Sequence, residues 1–385
     1  MLKVVTVIGA RPQIIKAAAI SRCIKKSFST MIEEIIVHTG QHYDENMSEI
    51  FFREMEVPSP KYNLNVGSLS QAAQTAMMMK GMEEVLLNEN PEVVLLYGDT
   101  NSTLAGSVTA AKLHIPVVHI EAGLRSFNPE MPEEINRIIC DHVSTLLFSP
   151  TLVGINNLLK EGYSQENNPP FKIGHPGVFH CGDVMFDNCL YFTEIAKKKS
   201  SIIDDLKLQK GKFILVTIHR DNNTDDPERL NRIFSAIDKI SSENNLKTII
   251  PLHPRTAKIL KINLRDQLYS SIVGNTNIKI IEPVSFFDMI NLEKNSMMIL
   301  TDSGGLQKEA FFYNKPCVIM RSETEWVEIV ESGAAIVCDA DEEKIINAFH
   351  HFQSKELSSL PSIFGNGKAS EFICTEIYKN FKGNS

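Results

Sequence analysis

Long apolar stretches are absent from this chain of 385 residues, in which no segment approaches ~18 unbroken apolar residues. A membrane span is therefore not expected. The first residues, MLKVVTVIGA, pass directly into a strand-like pattern and lack the cleavage region of a signal peptide. These two observations predict a cytoplasmic protein with no membrane partner.

The chain also has fewer basic than acidic residues, and its cysteines do not form a metal-binding motif. The 39 Lys and Arg residues are outnumbered by 47 Asp and Glu, which gives a net charge of -8. Because binding to a phosphate backbone needs a basic face, nucleic acid is not expected as a partner. The seven cysteines contain no CxxC pair and the eleven histidines no HExxH motif, so no metal site is indicated and the cysteines are expected to be reduced.

Short apolar runs alternate with helix-like segments in the first half of the chain. Each run is rich in Val, Ile and Leu and is followed by Gly, Asp, Thr or Pro, which is typical of buried parallel strands. The runs are KVVTVIG (3–9), EEIIVHTG (33–40), EVVLLYGD (92–99), IPVVHIEAG (115–123) and TLLFSPT (145–151). This alternation predicts a doubly wound α/β domain with right-handed crossovers.

The same pattern starts again after a polar, proline-containing passage at 161–177. The later runs are KFILVTIH (212–219), KTIIPLHP (247–254), IKIIEP (278–283), SMMILTD (296–302), PCVIM (316–320) and AAIVCD (334–339). Since the chain is long enough for two cores of average size, we predict two α/β domains, at 1–177 and 178–364.

Polar residues follow several of the predicted strands. They are Arg11, Asp99, Glu121, His219, His253 and the turn at 301–305. In open parallel sheets, ligands bind in the crevice beyond the carboxyl ends of the strands, so a substrate held between the two domains is expected. The first strand leads into GARPQIIK and not GxGxxG, so a dinucleotide cofactor is not indicated.

The segment TDSGGLQKEA (301–310) places two glycines between a strand and a helix. Glycines permit a sharp turn and close approach of another group, and the first helical N–H groups have no intrahelical partners. Such a turn can hold a phosphate at the positive end of the helix dipole. An ordinary turn in which Ser303 only caps the helix explains the segment about equally well.

Eight motifs together resemble the non-hydrolysing UDP-N-acetylglucosamine 2-epimerase family, in the family's order and over nearly the full chain. They are GARPQIIKAA (9–18), HTGQHYD (38–44), YGDTNSTLAG (97–106), HIEAGLRS (119–126), MPEEINR (131–137), TIHRDNN (217–223), TDSGGLQKEA (301–310) and GNGKAS (365–370). The resemblance implies two Rossmann-like doubly wound domains facing across a cleft, GT-B-like, with a C-terminal helix at 365–385 packing back on the first domain.

The resemblance also implies the reaction. The family interconverts UDP-GlcNAc and UDP-ManNAc, for surface polysaccharide precursors, without an added cofactor, and its members are commonly homodimers. UDP leaves by elimination across C1 and C2, and adds back after a proton reaches the other face of C2. This isomerase chemistry needs a positioned carboxylate and a neutralised diphosphate.

The catalytic carboxylates implied by the resemblance are Asp99, Glu121 and Glu133. Taken alone, Asp99 is as readily a helix cap, and Glu133 is better explained as a helix-start acid favoured by the dipole. The resemblance assigns His219 to the diphosphate, which it would protonate as it leaves. A lone histidine at a strand end is otherwise more often structural.

The substrate-binding residues implied by the resemblance surround the nucleotide. Arg11 and Lys16 match basic residues near the phosphates, although Lys16 alone could simply lie on a helix face. The turn Ser303, Gly304 and Gly305 matches the family's diphosphate cradle. Glu309 matches the acceptor for the ribose hydroxyls.

Two features of the sequence differ from the usual UDP-GlcNAc members of this family, and they affect the predicted substrate. Trp326 stands where UDP-GlcNAc members commonly carry arginine, and TIHRDNNTDD and ETEWVE lean toward the branch that epimerises UDP-2,3-diacetamido-2,3-dideoxyglucuronic acid. That activity is the first alternative. A GT-B glycosyltransferase is a second, suggested by the domain pair and the cradle but not by the carboxylates.

Overall fold

The chain forms two compact units in a computed structural model that describes residues 1–41, 52–252, 254–354, 357 and 360–382. The first unit is Met1–Asn188 with Ser362–Ser385, and the second is Cys189–Pro361. The boundaries predicted from the sequence, at 177/178 and 364/365, remain predictions of domain organisation. His253, predicted to follow a strand, lies outside the described residues, as do residues 42–44 of the HTGQHYD motif.

Seven parallel strands form the sheet of the first unit within its described residues, in the order β3-β2-β1-β4-β5-β6-β7. Strand β7 pairs with β6, and the domain boundary predicted after residue 177 falls within this strand. The strands are β1 (Leu2–Ile8), β2 (Ile32–His38), β3 (Tyr62–Asn63), β4 (Val93–Tyr97), β5 (Val117–Ile120), β6 (Leu146–Ser149) and β7 (Gly177–His180).

The first unit has five helices between its strands, within the described residues, and two more after its last strand. They are α1 (Arg11–Cys23, continued by a π-helical turn at Ile24–Phe28), α2 (Gln71–Glu89), α3 (Asn101–Lys112), α4 (Pro132–Val143), α5 (Leu152–Lys160), α6 (Val184–Lys199, which contains the change of unit) and the C-terminal α16 (Ala369–Lys382). Helix α16 lies against α1 and β1, and its Phe372 ring makes edge contacts with Phe148 and Phe179.

The second unit repeats the plan with six parallel strands among its described residues, in the order β10-β9-β8-β11-β12-β13. They are β8 (Phe213–Thr217), β9 (Lys247–Pro251), β10 (Ile278–Ile281), β11 (Met298–Thr301), β12 (Cys317–Ile319) and β13 (Ala335–Val337). Its helices are α7 (Ile202–Asp205), α8 (Asp221–Thr224), α9 (Pro227–Glu243), α10 (Pro254–Asn263), α11 (Asp266–Gly274), α12 (Phe286–Asn295), α13 (Gly304–Phe312), α14 (Val327–Glu331) and α15 (Glu342–Gln353).

Each unit has its own apolar core against its sheet. In the first unit Val5, Val7, Val94 and Leu96 are fully buried between sheet and helices. In the second unit, β8 and β11 pack their apolar residues on α9 and α15. Most strands are rich in Val, Ile and Leu and do not alternate, as the sequence predicted for buried parallel strands. The exceptions include β2, which carries Glu33 and Glu34, and the edge strand β10, which exposes Lys279 and Ile280. The predicted class of two Rossmann-like doubly wound domains is confirmed.

Both sheets reverse their strand order at an equivalent place. The chain builds outward from β1 to β3 and then returns to the other side of β1 with β4, and it does the same around β8 and β11. Two strand ends that diverge at such a switch point leave a crevice in which ligands bind. Arg11 and Asp99 follow the two central strands of the first unit, and His219 and Asp302 those of the second.

Candidate active site

Lys16 on α1 and Glu121 at the carboxyl end of β5 form an ion pair. Glu121 follows β5 with a left-handed backbone (φ 79°), and its Oε2 receives the Lys16 ammonium; both side chains are largely buried. Gly98, also left-handed, makes room for the pair, since a Cβ there would lie 3.1 Å from both Glu121 Oε2 and Lys16 Nζ. A larger residue at position 98 would therefore disturb the pair.

Asp99 is held by an arginine that the sequence analysis missed. The Arg137 guanidinium on α4 binds Asp99 Oδ2 with one nitrogen and Glu134 Oε2, at 2.6 Å, with another. Asn136 donates to the Asp99 carbonyl at 2.9 Å. About a third of the Asp99 side chain is exposed (32%), whereas Arg137 is buried. The Asp99 carboxylate is thus held by Arg137 on its buried side and is partly exposed to solvent on the other.

Helix α4 carries two adjacent glutamates with different surroundings. Glu133, the predicted catalytic residue, is exposed in the first turn. Glu134 is buried and accepts bonds of 2.9–3.0 Å from the Ser126 N–H, the Ser126 hydroxyl and the Phe127 N–H. Burial raises the pKa of Glu134, but these bonds and Arg137 outweigh it and leave the pKa below its ordinary value.

An ionic network, buried except for its outer member Glu161, lies next to the two strand ends. His119 contacts the Gly98 carbonyl with Nε2 at 2.8 Å and Asp141 Oδ1 with Nδ1 at 2.7 Å. The other Asp141 oxygen accepts from the Gly123 N–H at 3.1 Å and from Arg125 at 2.8 Å. Arg125 also forms a two-point pair with Glu161, with both distances at 2.7 Å. This network is linked to both turns that carry Asp99 and Glu121.

Arg11 is the first residue of α1 and is exposed. The turn before it is held by Gln13, whose Oε1 accepts from the Gly9 and Ala10 N–H groups at 2.9 and 3.1 Å. Lys16 lies one turn further on α1 and contacts Glu121. The predicted phosphate roles of Arg11 and Lys16 remain predictions.

The switch point of the second unit is organised by one buried carboxylate. Asp302 accepts from the backbone N–H groups of His219 and Arg220 at 3.1–3.2 Å and lies 3.1 Å from His219 Nδ1. Asn223 also donates to it at 3.2 Å. Burial raises the pKa of Asp302, but these donors lower it below its ordinary value. The imidazole of His219 is itself 57% exposed, so its far edge faces outward.

Helix α13 begins at the double-glycine turn. Ser303 is its N-cap, with Oγ accepting from the Leu306 N–H at 3.5 Å. A Cβ on Gly304 would clash with the Glu325 carboxylate, which is paired with Arg321 at 3.0 Å. The Ser303 cap is therefore present, and anion binding by the first turn of this helix stays a prediction.

Glu309 lies further along α13 and is half-buried. It acts electrostatically on Glu293, a buried glutamate on α12. Burial first, and then the charge of Glu309, raises the pKa of Glu293 well above its ordinary value. The ribose role predicted for Glu309 remains a prediction.

Trp326 is a buried N-cap residue of α14. The ammonium of Lys308, itself buried on α13, lies 4.2 Å from the centre of the indole ring, a cation–π distance. The sequence analysis identified Trp326 as a packing residue or as a wall beside the ligand, and this contact with α13 makes it at least a packing residue.

Sequence reasoning missed Arg137, Glu134, His119 and Asp141. The Glu134 and Arg137 pair could have been found, because an acid and a base three residues apart lie on one face of a helix. His119 and Asp141 gave no such signal, since their partners come from other elements. Within the described residues no group of three or more His, Cys, Asp or Glu side chains is arranged to bind a metal ion. The same part of the chain contains no helix with the length and apolar character of a membrane span.

Comparison with known proteins finds similarity to UDP-sugar 2-epimerases over nearly the whole chain. A family model described as UDP-N-acetylglucosamine 2-epimerase matches residues 26–378. A protein of Methanococcus maripaludis called a UDP-N-acetylglucosamine 2-epimerase homolog is 46% identical over 380 residues, covering 98% of this chain and 100% of the relative. The UDP-2,3-diacetamido-2,3-dideoxy-D-glucuronate 2-epimerase of Pseudomonas aeruginosa is 44% identical over 379 residues, with 98% and 100% covered.

Among solved structures, one similar chain is the UDP-GlcNAc 2-epimerase of Methanocaldococcus jannaschii, crystallised in complex with UDP-GlcNAc and UDP. Its TM-score to this chain is 0.84 at 42% sequence identity, with 98% of this chain and 99% of that chain covered. The similarity therefore includes both units and the helix at the carboxyl end.

Proposed function

Because the chain belongs to the UDP-N-acetylglucosamine 2-epimerase family, we propose that it is a non-hydrolysing epimerase that interconverts UDP-GlcNAc and UDP-ManNAc. It is an isomerase that moves a proton at C2 of the sugar and breaks and re-forms the bond between C1 and the diphosphate oxygen. The product would serve surface polysaccharide synthesis.

Proton transfer belongs to the first unit in this proposal. A carboxylate removes the C2 proton as the C1–O bond breaks, leaving 2-acetamidoglucal and UDP. A proton is then delivered to the opposite face of C2, and a UDP oxygen adds back to C1. Asp99 and Glu121 are the candidates because each carboxylate is anchored by a cation, Arg137 or Lys16, at neighbouring strand ends. Glu133 is the third candidate, from an exposed first turn.

Stabilisation of the leaving group belongs to the second unit. The first turn of α13, with Ser303, Gly304 and Gly305, would bind the diphosphate through backbone N–H groups, and Glu309 would accept from the ribose hydroxyls. His219 would donate a proton to the departing diphosphate. Its pairing with Asp302 supports this role, because a carboxylate on one ring nitrogen fixes the orientation of the other.

The observation that carries the proposal is the pair of anchored carboxylates at adjacent strand ends, beside a switch point. A glycosyltransferase needs the nucleotide cradle but has no need for two acids aimed at a sugar carbon. Removal of a proton from one face of C2 and delivery of a proton to the other face are served by two acids, each held by its own cation.

The test is incubation with UDP-GlcNAc in deuterated water. We expect UDP-ManNAc carrying deuterium at C2, and deuterium in the recovered UDP-GlcNAc, because removal and return of the proton exchange it with solvent. Substrate that stays unlabelled and unepimerised, for every UDP-HexNAc offered, would reject the proposal. Transfer of the sugar to an acceptor without exchange would support the glycosyltransferase.

A second candidate substrate is UDP-2,3-diacetamido-2,3-dideoxy-D-glucuronate, on which the 44% identical relative from Pseudomonas acts according to its name. The ETEWVE segment, with Trp326 packed on Lys308, is the feature that favours it. The two substrates should be assayed side by side, and the true one is the substrate with the larger kcat/KM. A cytoplasmic homodimer is a further part of the proposal, and light scattering of the purified protein tests the dimer.

A further inference from the structure

We propose that His119 is a positioning residue: a permanently charged imidazolium that fixes the Gly98–Asp99 turn for proton transfer. The inference deepens the proposed epimerase function, on which its kinetic part rests. His119 does not touch the reacting atoms, and it would act through the backbone carbonyl that precedes Asp99.

The partners of the two ring nitrogens determine the protonation of His119. Nε2 lies 2.8 Å from the Gly98 carbonyl, which can only accept a hydrogen bond, so Nε2 must carry a proton. Nδ1 lies 2.7 Å from Asp141 Oδ1. The other oxygen of Asp141 accepts from the Gly123 N–H and is paired with the Arg125 cation, which favours the carboxylate form, and a carboxylate needs Nδ1 to donate. Both nitrogens therefore carry protons.

The charges around the ring balance. His119 and Arg125 are cations, Asp141 and Glu161 are anions, and the side chains of the first three are at most 1% exposed. A balanced, fully bonded set avoids the cost of an isolated buried charge. Cys140, just before Asp141 on α4, has its thiol beside the ring, and the Tyr163 hydroxyl is near the carboxylates.

The direction of the titration agrees with this geometry. Burial lowers the pKa of His119, but Cys140 and the bond to Asp141 outweigh burial and hold the pKa well above its ordinary value. Burial likewise raises the pKa of Asp141, but His119 and Arg125 reverse the effect and lower it.

One carboxylate thereby fixes both strand-end turns. Asp141 binds the Gly123 N–H directly, two residues after Glu121 with its left-handed backbone, and it binds the Gly98 carbonyl through His119. Removing the imidazolium would release the Gly98 carbonyl and let Asp99 shift relative to Arg137. A misplacement of about 1 Å in a catalytic group can cost about 10²-fold in rate.

Two conservative variants separate the contacts of the ring. The amide nitrogen of His119→Gln can occupy the position of Nε2 and keep the Gly98 contact, whereas that of His119→Asn can occupy the position of Nδ1 and keep only Asp141. We expect kcat to fall about 10²-fold in the asparagine variant and several-fold less in the glutamine variant. KM and the Kd for UDP should stay within about twofold, since the cradle is in the second unit.

The matched control is His142→Gln, on the same helix as Asp141 but exposed. Its kcat should equal that of the unmodified enzyme. Equal kcat losses in both His119 variants, or a loss that appears only in KM, would overturn the positioning role. A merely structural role predicts a lower melting temperature in both variants without the difference in kcat between them.

The charge is tested without any substrate, by nitrogen NMR of the full chain labelled with ¹⁵N-histidine. We expect one of the eleven rings to keep protons on both nitrogens from pH 6 to about pH 9, and its signals to be missing in His119→Gln. A His119 ring that loses a proton near the usual pKa of ~6.5 overturns the inference. Absence of C2 exchange in the unmodified enzyme would instead reject the proposed function, and the spectra would still decide the charge.

Discussion

The two units place different chemistry at the same position in the same fold. At the switch point of the first unit, side chains pair with side chains: Glu121 with Lys16, and Asp99 with Arg137. At that of the second, a single buried carboxylate, Asp302, gathers backbone N–H groups, and a helix begins at two glycines beside it. The first arrangement presents acids and bases, and the second presents hydrogen-bond donors.

The difference shows how one architecture is divided between two tasks. A parallel sheet supplies strand ends and helix starts, but the residues at these positions decide between proton transfer and anion binding. If this division is right, variants in the first unit should change turnover and leave nucleotide binding intact. Variants in the second unit should do the reverse.

The largest expected effect is that of Glu121→Gln. The amide keeps the shape but cannot take a proton, so kcat should fall about 10²–10⁴-fold, while the Kd for UDP by calorimetry stays within about twofold. Glu83→Gln, on the exposed face of α2, is the matched control and should have full activity. Loss of UDP binding with residual turnover intact would mean that the roles of the two units are assigned wrongly.

Acid should weaken the first unit through His38. Burial lowers the pKa of His38 to about 4 from its ordinary value of 6.5, so between these pH values the unfolded chain binds more protons than the folded chain. Stability falls as pH drops through this window, by up to ~3 kcal/mol. His38→Asn, whose amide oxygen can occupy the position of Nδ1 and still accept from the Gly40 N–H, should remove the fall.

The measurement for His38 is urea unfolding at pH 7 and pH 5, followed by circular dichroism. Trp326, the single tryptophan, reports the second unit by fluorescence and separates the two transitions. An identical pH dependence in the variant and the unmodified protein would show that His38 titrates normally.

The second unit should respond to pH with the opposite sign through Glu293. Its raised pKa means that the folded state holds a proton that the unfolded state releases. The stabilisation is complete below the unfolded pKa and disappears as pH rises toward the folded pKa. Glu293→Gln should therefore stabilise the second unit more at pH 7 than at pH 5, measured by Trp326 fluorescence. A difference in the other direction would contradict the raised pKa.

Asp302→Asn should destabilise the second unit by about 1–3 kcal/mol at pH 7, because the His219 and Arg220 N–H groups lose a charged acceptor. Since the pKa of Asp302 is lowered, its contribution is present above its unfolded pKa of ~3.9 and is lost as pH falls through the folded value. The difference between variant and unmodified protein should therefore shrink in strong acid. A constant difference would assign the effect to packing.

The smallest effects are expected at the glycine turn, with opposite signs at adjacent positions. Gly305→Ala meets nothing closer than Ser303 Oγ at 3.8 Å and should stabilise the second unit by up to ~1 kcal/mol while weakening UDP binding. A Cβ in Gly304→Ala must displace the Glu325 carboxylate, so this variant should destabilise the second unit. Thermal unfolding measures the stability of both variants, and calorimetry measures their affinity for UDP. An unchanged UDP affinity in Gly305→Ala would show that this turn does not bind the nucleotide.

The strand pattern and the strand-end polar residues could be predicted because a fully covered parallel strand must be apolar along its length. Several of the strands are also followed within a few residues by a polar residue. Asp99, Glu121, His219 and Ser303 all appear at such ends in the sequence. The sequence pattern predicted no strand at Gly177–His180, and this strand, β7, pairs with β6 directly after the polar passage.

The sequence alone determined two doubly wound units and the residues at their strand ends, because periodicity and chain breaks are local properties. Tertiary structure alone decided the partners: Arg137 for Asp99, Lys16 for Glu121, and Asp302 for His219. These residues are brought together by the order of strands in each sheet. That order depends on packing between segments far apart in the chain, which no local pattern records.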